Sequence, residues 1–358
     1  MQPRPEVDAM TLYSPGQSLE DARRQSGREQ MIKLASNESL WGPSPRALEA
    51  VRKALDHMQY YPAVQPPGLV QALARQVGVD DRQIVVGNGA DEILRLAAAA
   101  FAGPGDEVVY PTPSFSAYRH SALLAGAEPR EVRLAVDGAN DLDAILASVT
   151  TRTRVVYLCS PNNPTGTPFS PELWDRYLAH IPDTVLTVVD GAYWEFQDAP
   201  RPDYRAAIQA GRPIIWVRTF SKLYALAGYR VGWAVAPVDV TAALKKVREP
   251  FSLNALGAIA AEASLEDDQY FSRIRAETLA ARQYLIEKLD EAHIRHFPSA
   301  SNFVTFSAGD DHRVAERLLA EGFVVRPTAS FGLPGWIRVT VAPLPIMEHF
   351  INTLLSLL

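Results

Sequence analysis

From about residue 44 to residue 245, short apolar runs rich in valine and isoleucine alternate with stretches of helical periodicity. "RQIVVGNGADEILRLAAAAFA" (82–102) reads as strand, glycine turn and helix, and "DEVVYPTPSFSAYRHSALLAGA" (106–127) repeats the arrangement. "TRVVYLCSPNNPTG" (153–166) runs on into the helical pattern "SPELWDRYLAHI", and "TVLTVVDGAYWEF" (184–196) is a further apolar strand. "PIIWVRTFSKLYALAG" (213–228) and "RVGWAVAP" add two more, while "SPRALEAVRKALDHM" (44–58) predicts a helix opened by Ser-Pro. Such runs, alternating with helices, predict an α/β domain with a mostly parallel sheet. After about residue 245 the pattern changes. "DDQYFSRIRAETLAARQYLIEKLDEA" (267–292) predicts one long amphipathic helix, and "HIRHFPSASNFVTFSAG" and "WIRVTVAP" predict strands of a smaller α+β unit. Residues 1–30 are polar and read as an arm. The expected organisation is an N-terminal arm over 1–35 packing on the small domain or a partner subunit, a large domain over 36–245 and a small C-terminal domain over 246–358.

In open α/β sheets, ligands bind beyond the carboxyl ends of the strands. The chemically interesting residues fall at such ends. Asn88, Ala90 and Asp91 follow "IVV", Phe115 follows "VVYPTP", and Asn163 follows "VVYLCSPN". Asp190 and Tyr193 close "TVLTVVD", and Ser221 and Lys222 follow "IIWVRTF". Any one of them is at home in a turn; their coincidence at five strand ends points to a site. "GNGADE" opens a helix, whose backbone N–H groups can hold an anion. Arg230 and Ser221 can add charge and hydrogen bonds to it.

Within "TFSKLYALAGYRVGW", Lys222 is surrounded by apolar and aromatic residues and stands eight positions before Arg230. A buried ammonium is costly unless paired or used chemically. Asp190 ends a very apolar strand and needs a cation. Either the two pair with each other, or together they hold one ligand, an aldehyde bonded to Lys222 and a ring cation opposite Asp190.

Composition narrows the classes. The chain has 358 residues, 47% hydrophobic, ample for a packed core. A net charge of −6 argues against general nucleic-acid binding. Cys159 is the single cysteine, so no intrachain disulfide forms, which fits a reducing compartment. The first thirty residues hold no apolar run of signal-peptide length, and no stretch approaches the roughly 18 apolar residues of a membrane span. A cytoplasmic protein without membrane or nucleic-acid partners, and without a metal, is the expectation.

Three segments, "SPNNPTG", "VVDGAYWEF" and "TFSKLYALAGYRVGW", resemble signatures of the class I/II, fold-type I aminotransferases that depend on pyridoxal 5'-phosphate. The similarity runs nearly end to end. "LYSPG", "IKLASNESLWGPSP", "YYP", "GNGADEIL", "PTPSFSAY" and "VVRPTASFGLPGWIRVTV" resemble the histidinol-phosphate aminotransferase subfamily. This implies a large domain with a mostly parallel mixed sheet between helices and a smaller α+β domain. It also implies that Lys222 bonds the cofactor as a Schiff base and later serves as general base. Asp190 would keep the pyridine nitrogen protonated, Asn163 and Tyr193 would hydrogen-bond the ring oxygen, and Phe115 would stack on the ring. Ala90, Asp91, Ser221 and Arg230 would hold the phosphate, joined by Tyr61 from a partner subunit of a homodimer. Arg338 would clamp a substrate carboxylate, with Asn302 and Asn37 beside it. Tyr13 and Arg326 match positions that bind a substrate phosphate; Arg326 precedes Pro327 in an apparent loop, where a solvated surface arginine is the alternative. Three departures stand out: Ala90 where serine is usual, Gly191 where glutamate is common, and Ser39-Leu40-Trp41 where Asn-Pro and a small residue are common. Trp41 is expected near the substrate entrance.

The leading reading is transfer of an amino group from a small-molecule donor, histidinol phosphate, to 2-oxoglutarate, a step of histidine biosynthesis. An aromatic amino acid aminotransferase is the alternative if Trp41, Phe115 and Trp194 build an aromatic pocket; a threonine-phosphate-type decarboxylase is another. A non-catalytic effector domain is disfavoured because every catalytic position is filled. A nucleotide-binding Rossmann protein is disfavoured because its fingerprint is missing.

Overall fold

The computed structural model describes residues 2–12 and 15–357. Its strands are β1 (Ile32–Lys33), β2 (Ile84–Asn88), β3 (Glu107–Thr112), β4 (Glu128–Arg133), β5 (Thr153–Cys159), β6 (Leu186–Asp190), β7 (Ile214–Thr219), β8 (Val231–Val235), β9 (Phe303–Ser307), β10 (Phe323–Val324), β11 (Arg326–Pro327) and β12 (Trp336–Thr340). The helices up to the end of the sheet are α1 (Pro5–Asp8), α2 (Leu19–Ser26), α3 (Pro45–Ala54), α4 (Pro67–Val77), α5 (Gly89–Phe101), α6 (Ala117–Ala125), α7 (Leu142–Ser148), α8 (Pro171–His180) and α9 (Tyr204–Gln209). Beyond it come α10 (Val238–Val247), α11 (Ala255–Ser264), α12 (Asp268–Glu291), α13 (Asp311–Ala320) and α14 (Leu344–Leu357). The Ser-Pro starts act as expected: Ser44 and Ser170 accept from Ala47 N and Leu173 N, each with proline at the first helical position.

The central sheet has the order β2-β8-β7-β6-β5-β3-β4 and is parallel except for β8. Alternate residues of each strand serve two cores. Val85, Val155, Val188 and Ile215 face one core with α5 and α6, while Val86, Val156, Val189 and Ile214 face the other with α4 and α8. Burial on both faces explains why these strands read as unbroken apolar runs. Because β2, β3, β5, β6 and β7 run in one direction, their carboxyl ends share one edge of the sheet. β4 escapes the sequence pattern because it is the charged, half-exposed edge strand "EPREVR".

A second core gathers β9, β12, α13, α14 and the later half of α12. The long helix is shared: Phe271 and Ile274 pack with the sheet, Ala281, Leu285 and Leu289 with the second core. α11 packs on α3 and α4, so the stretch just beyond residue 245 sits with the sheet's helices. The arm is tied to the C-terminal unit by β1, which pairs with β10, and by Ala22 of α2 packing near Leu319 and Val324. Among the described residues no helix is long and apolar enough to cross a membrane.

Candidate active site

A cavity of about 370 Å³ opens at the shared strand edge. Asn37, Ala90, Asp91, Phe115, Asn163, Asp190, Tyr193, Ser221, Lys222, Arg230, Arg326 and Arg338 all line it. Asn302 stands behind it, donating from Nδ2 to Asn37 O at 3.1 Å. Tyr61 does not line it: the ring is 83% exposed and stacks on Phe251 at 4.9 Å. Tyr13 lies outside the described residues.

One end suits an anion. The first turn of α5 carries Ala90 and Asp91. The Arg230 guanidinium sits over this turn, Nη2 bonding Asp91 Oδ2 at 3.2 Å and Nη1 bonding Ala227 O at 3.1 Å. Only glycine fits at 89: φ is +77°, and a side-chain carbon would lie 2.4 Å from Arg230 Nη2. Ser221 takes part through Thr219, whose Oγ1 donates to Ser221 Oγ at 3.0 Å.

The middle holds the titratable groups. Lys222 Nζ donates to Ser36 O at 3.2 Å and lies 5.7 Å from the centre of the Tyr193 ring. It does not pair with Asp190. Burial, helped by the Arg338 charge, lowers Lys222 to about 8. Asp190 is buried at the end of β6, and both its protein partners are neutral: Tyr118 Oη donates to Oδ2 at 2.8 Å and Ala192 N to Oδ1 at 3.0 Å. Burial raises Asp190 to about 6, against those two hydrogen bonds. A buried carboxylate with only neutral donors and an open cavity beside it suits a cationic ligand group. Tyr193 receives Asn37 Nδ2 at 2.9 Å, so its own proton is left to donate, and burial holds the phenol well above its ordinary value. Phe115 supplies a half-buried ring on the cavity wall.

The far end is cationic. Arg338 is buried, with Nη1 on Asn163 Oδ1 and Nη2 on Ala35 O at 2.8 Å. Arg326 lies in β11, directly across from Arg338 in β12, not in a loop. It is 9% exposed, which rules out the solvated surface arginine. Its Nη1 donates to Pro15 O at 2.7 Å and its Nη2 to Ser330 Oγ at 3.1 Å. Both guanidiniums lie 5.3 Å from the centre of the Phe331 ring.

The expected aromatic pocket is corrected. Trp41 and Trp194 do not join Phe115 in a pocket. Trp41 Nε1 bonds Glu277 Oε2 at 2.6 Å, Trp194 packs on Tyr204 and Trp216, and neither lines the cavity. Gly191 has a steric consequence: a side-chain carbon there would come within 2.8 Å of Trp216 Nε1 and 3.1 Å of Val217 O, so Trp216 occupies the space a side chain would need. Sequence reasoning passed over Ser36, Tyr118, Cys159 and Phe331. The one available signal was the position of Tyr118, three residues after Phe115 at the start of a helix.

These residues fit pyridoxal 5'-phosphate: an anion cradle, a buried carboxylate for a ring cation, a lysine of lowered basicity and an aromatic wall line one cavity. Comparison with known proteins agrees. The profile of the family "Aminotransferase class I and II" matches residues 29–352. A histidinol-phosphate aminotransferase of Symbiobacterium thermophilum is 40% identical over 352 residues, 98% of this chain and 97% of that one. One from Moorella thermoacetica is 38% identical, covering 97% and 90%. The crystal structure of the Sinorhizobium meliloti histidinol-phosphate aminotransferase in complex with pyridoxal-5'-phosphate superposes with a TM-score of 0.87 at 29% identity, covering 99% and 98% of the two chains.

Proposed function

Since the chain belongs to the class I and II aminotransferases, we propose that it is a pyridoxal phosphate-dependent transaminase that carries the amino group of histidinol phosphate to 2-oxoglutarate. The reaction is ping-pong: the donor leaves its amino group on the enzyme before the 2-oxo acid collects it. When bound, the cofactor supplies an aldehyde carbon that accepts amino groups and a conjugated ring that spreads the electrons released at the substrate carbon. The chain's residues do the rest. Lys222 at about 8 has an accessible neutral amine near physiological pH, able to take a proton at Nζ and return it. Asp190 holds the ring cation through its charge, and Asn163 and Tyr193 offer donors to the ring oxygen. The α5 turn, Ser221 and Arg230 hold the cofactor phosphate.

The observation that carries the substrate is the cross-strand pair Arg326 and Arg338, two guanidiniums on one aromatic ring at the far end of the lysine cavity. Such a pair suits a dianion as well as a carboxylate. With Trp41 and Trp194 outside the cavity, support for an aromatic donor falls away. Charge-assisted hydrogen bonds contribute roughly 1.5–3 kcal/mol each. Arg326→Ala is therefore expected to lower kcat/KM for histidinol phosphate by about tenfold to a hundredfold and to spare glutamate. Arg338→Ala is expected to harm glutamate more. Equal losses for both donors with Arg326→Ala, or a wild type that ignores histidinol phosphate and accepts phenylalanine, would overturn this reading.

We take the working form to be a cytoplasmic homodimer. Leu55, Tyr60, Tyr61, Val64 and Phe251 are exposed apolar or aromatic residues, and exposed patches of this kind mark interaction sites. Tyr61 belongs to that surface and not to its own chain's cavity, as expected of a residue serving a partner's site. Sedimentation should show a dimer, and Tyr61→Phe should weaken cofactor binding without dissociating it. A fully active monomer would contradict the assignment.

A further inference from the structure

Asp190 owes its side-chain hydrogen bond to a residue 72 positions away in sequence, on a helix that itself does not line the cavity at that point. Tyr118 is fully buried on α6. Its ring stacks on Tyr157 at 5.1 Å and 19°, and the Tyr157 hydroxyl is fixed to Leu94 O at 2.7 Å. The phenol therefore has one orientation, with its Oη 2.8 Å from Asp190 Oδ2. Ala192 N occupies the other oxygen at 3.0 Å. Each carboxylate oxygen keeps one further lone pair, and the plane of the carboxylate is set from two sides.

We propose that Tyr118 is a positioning residue for transamination: through Asp190 it fixes the carboxylate plane and keeps the carboxylate a weak enough base that the ring proton stays on the cofactor. The inference rests on the reading of Asp190 as the partner of the ring nitrogen. A carboxylate in a dry site gains proton affinity, and a proton lost from ring to carboxylate removes the charge that draws electrons. Hydrogen bonding to the charged form opposes that gain. Tyr118 is the larger of the two donors that do so here. Burial and the Asp190 charge hold the phenol far above its ordinary value, so it stays a donor throughout the working range. The other groups that bear on Asp190 are Asp91 on α5, Lys222 after β7, Cys159 on β5 and Tyr193 after β6. None of them hydrogen-bonds it.

Tyr118→Phe keeps the ring and its stack and removes only the donor. In the apoprotein, carbon-13 NMR of labelled aspartate should show the Asp190 titration moving to higher pH. In the holoenzyme, nitrogen-15 NMR of ring-labelled cofactor should move toward the unprotonated position. kcat should fall about tenfold, the effect of one hydrogen bond to a charged group, with KM little changed. In an Asp190→Asn background the same change should cost nothing further. Replacing Tyr118 by 3-fluorotyrosine, a stronger donor of nearly the same size, should move both NMR signals the opposite way, and serves if the phenylalanine variant does not fold. Unchanged Asp190 and ring-nitrogen signals, with Asp190→Asn still crippling, would overturn the role of Tyr118 alone. If Asp190→Asn were also silent, the reading of Asp190 itself would fall.

Discussion

Lys222→Ala is expected to yield a folded protein that still takes up pyridoxal phosphate but has lost transamination almost entirely. Loss of positioned proton transfer accounts for roughly 10²–10⁴-fold, and loss of the covalent attachment point adds to it. Cofactor uptake should persist because the phosphate cradle, Asp190 and Tyr193 do not involve the lysine. Folding should also survive. Lys222 is lowered to about 8 by burial, so its charged form is disfavoured in the folded state. Stability therefore rises as pH increases from about 8 toward the ordinary lysine value, and at neutral pH the lysine is a cost to the fold. Its removal forfeits one hydrogen bond to Ser36 O, about 1 kcal/mol, and relieves that cost. Borohydride reduction of the wild type followed by peptide mapping should place the cofactor label on Lys222. Label on another lysine, or none, would refute the assignment.

Asp190→Asn should retain the fold and reduce turnover by roughly 10²–10³-fold, the usual effect of removing one preorganised electrostatic group. An amide matches the carboxylate in size but cannot hold a ring proton by charge. The apoprotein carries an independent signature. Asp190 is raised from 3.8 to about 6 in the folded state. The folded chain thus binds the extra proton between those values, and the associated stability is present below about 4 and lost as pH rises through 6. At about 1.4 kcal/mol per tenfold in proton affinity, the loss is on the order of 3 kcal/mol. Denaturant melts of the apoprotein from pH 4 to 7 should show this decline in the wild type and lack it in Asp190→Asn. Near-normal turnover of the variant would dismiss the electron-sink role. A pH-independent wild-type apoprotein would dismiss the buried carboxylate with only neutral partners.

The sequence by itself determined the apolar strands of the central sheet, the helices with Ser-Pro starts or long amphipathic patterns, the single edge at which Asp91, Phe115, Asn163, Asp190 and Lys222 gather, and the cofactor these residues suit. It could do so because apolar runs, Ser-Pro helix starts and glycine turns are local: a strand covered on both faces must be apolar throughout, wherever it later packs. The charged edge strand β4 was illegible for the converse reason. Tertiary structure alone decided that Lys222 turns to Ser36 O instead of Asp190, because a lysine's reach is compatible with either. It decided that Arg326, beside a proline, is buried across from Arg338, since a two-residue strand has no period to read. It carried Trp41 and Trp194 away from the cavity, aromatic composition being silent on which face a ring packs. Finally, it joined Tyr118 to Asp190. A hydrogen bond between residues 72 positions apart depends on how α6 lies over the sheet, and that is fixed by the packing of the core shared by Tyr118, Tyr157 and Cys159, not by any spacing along the chain.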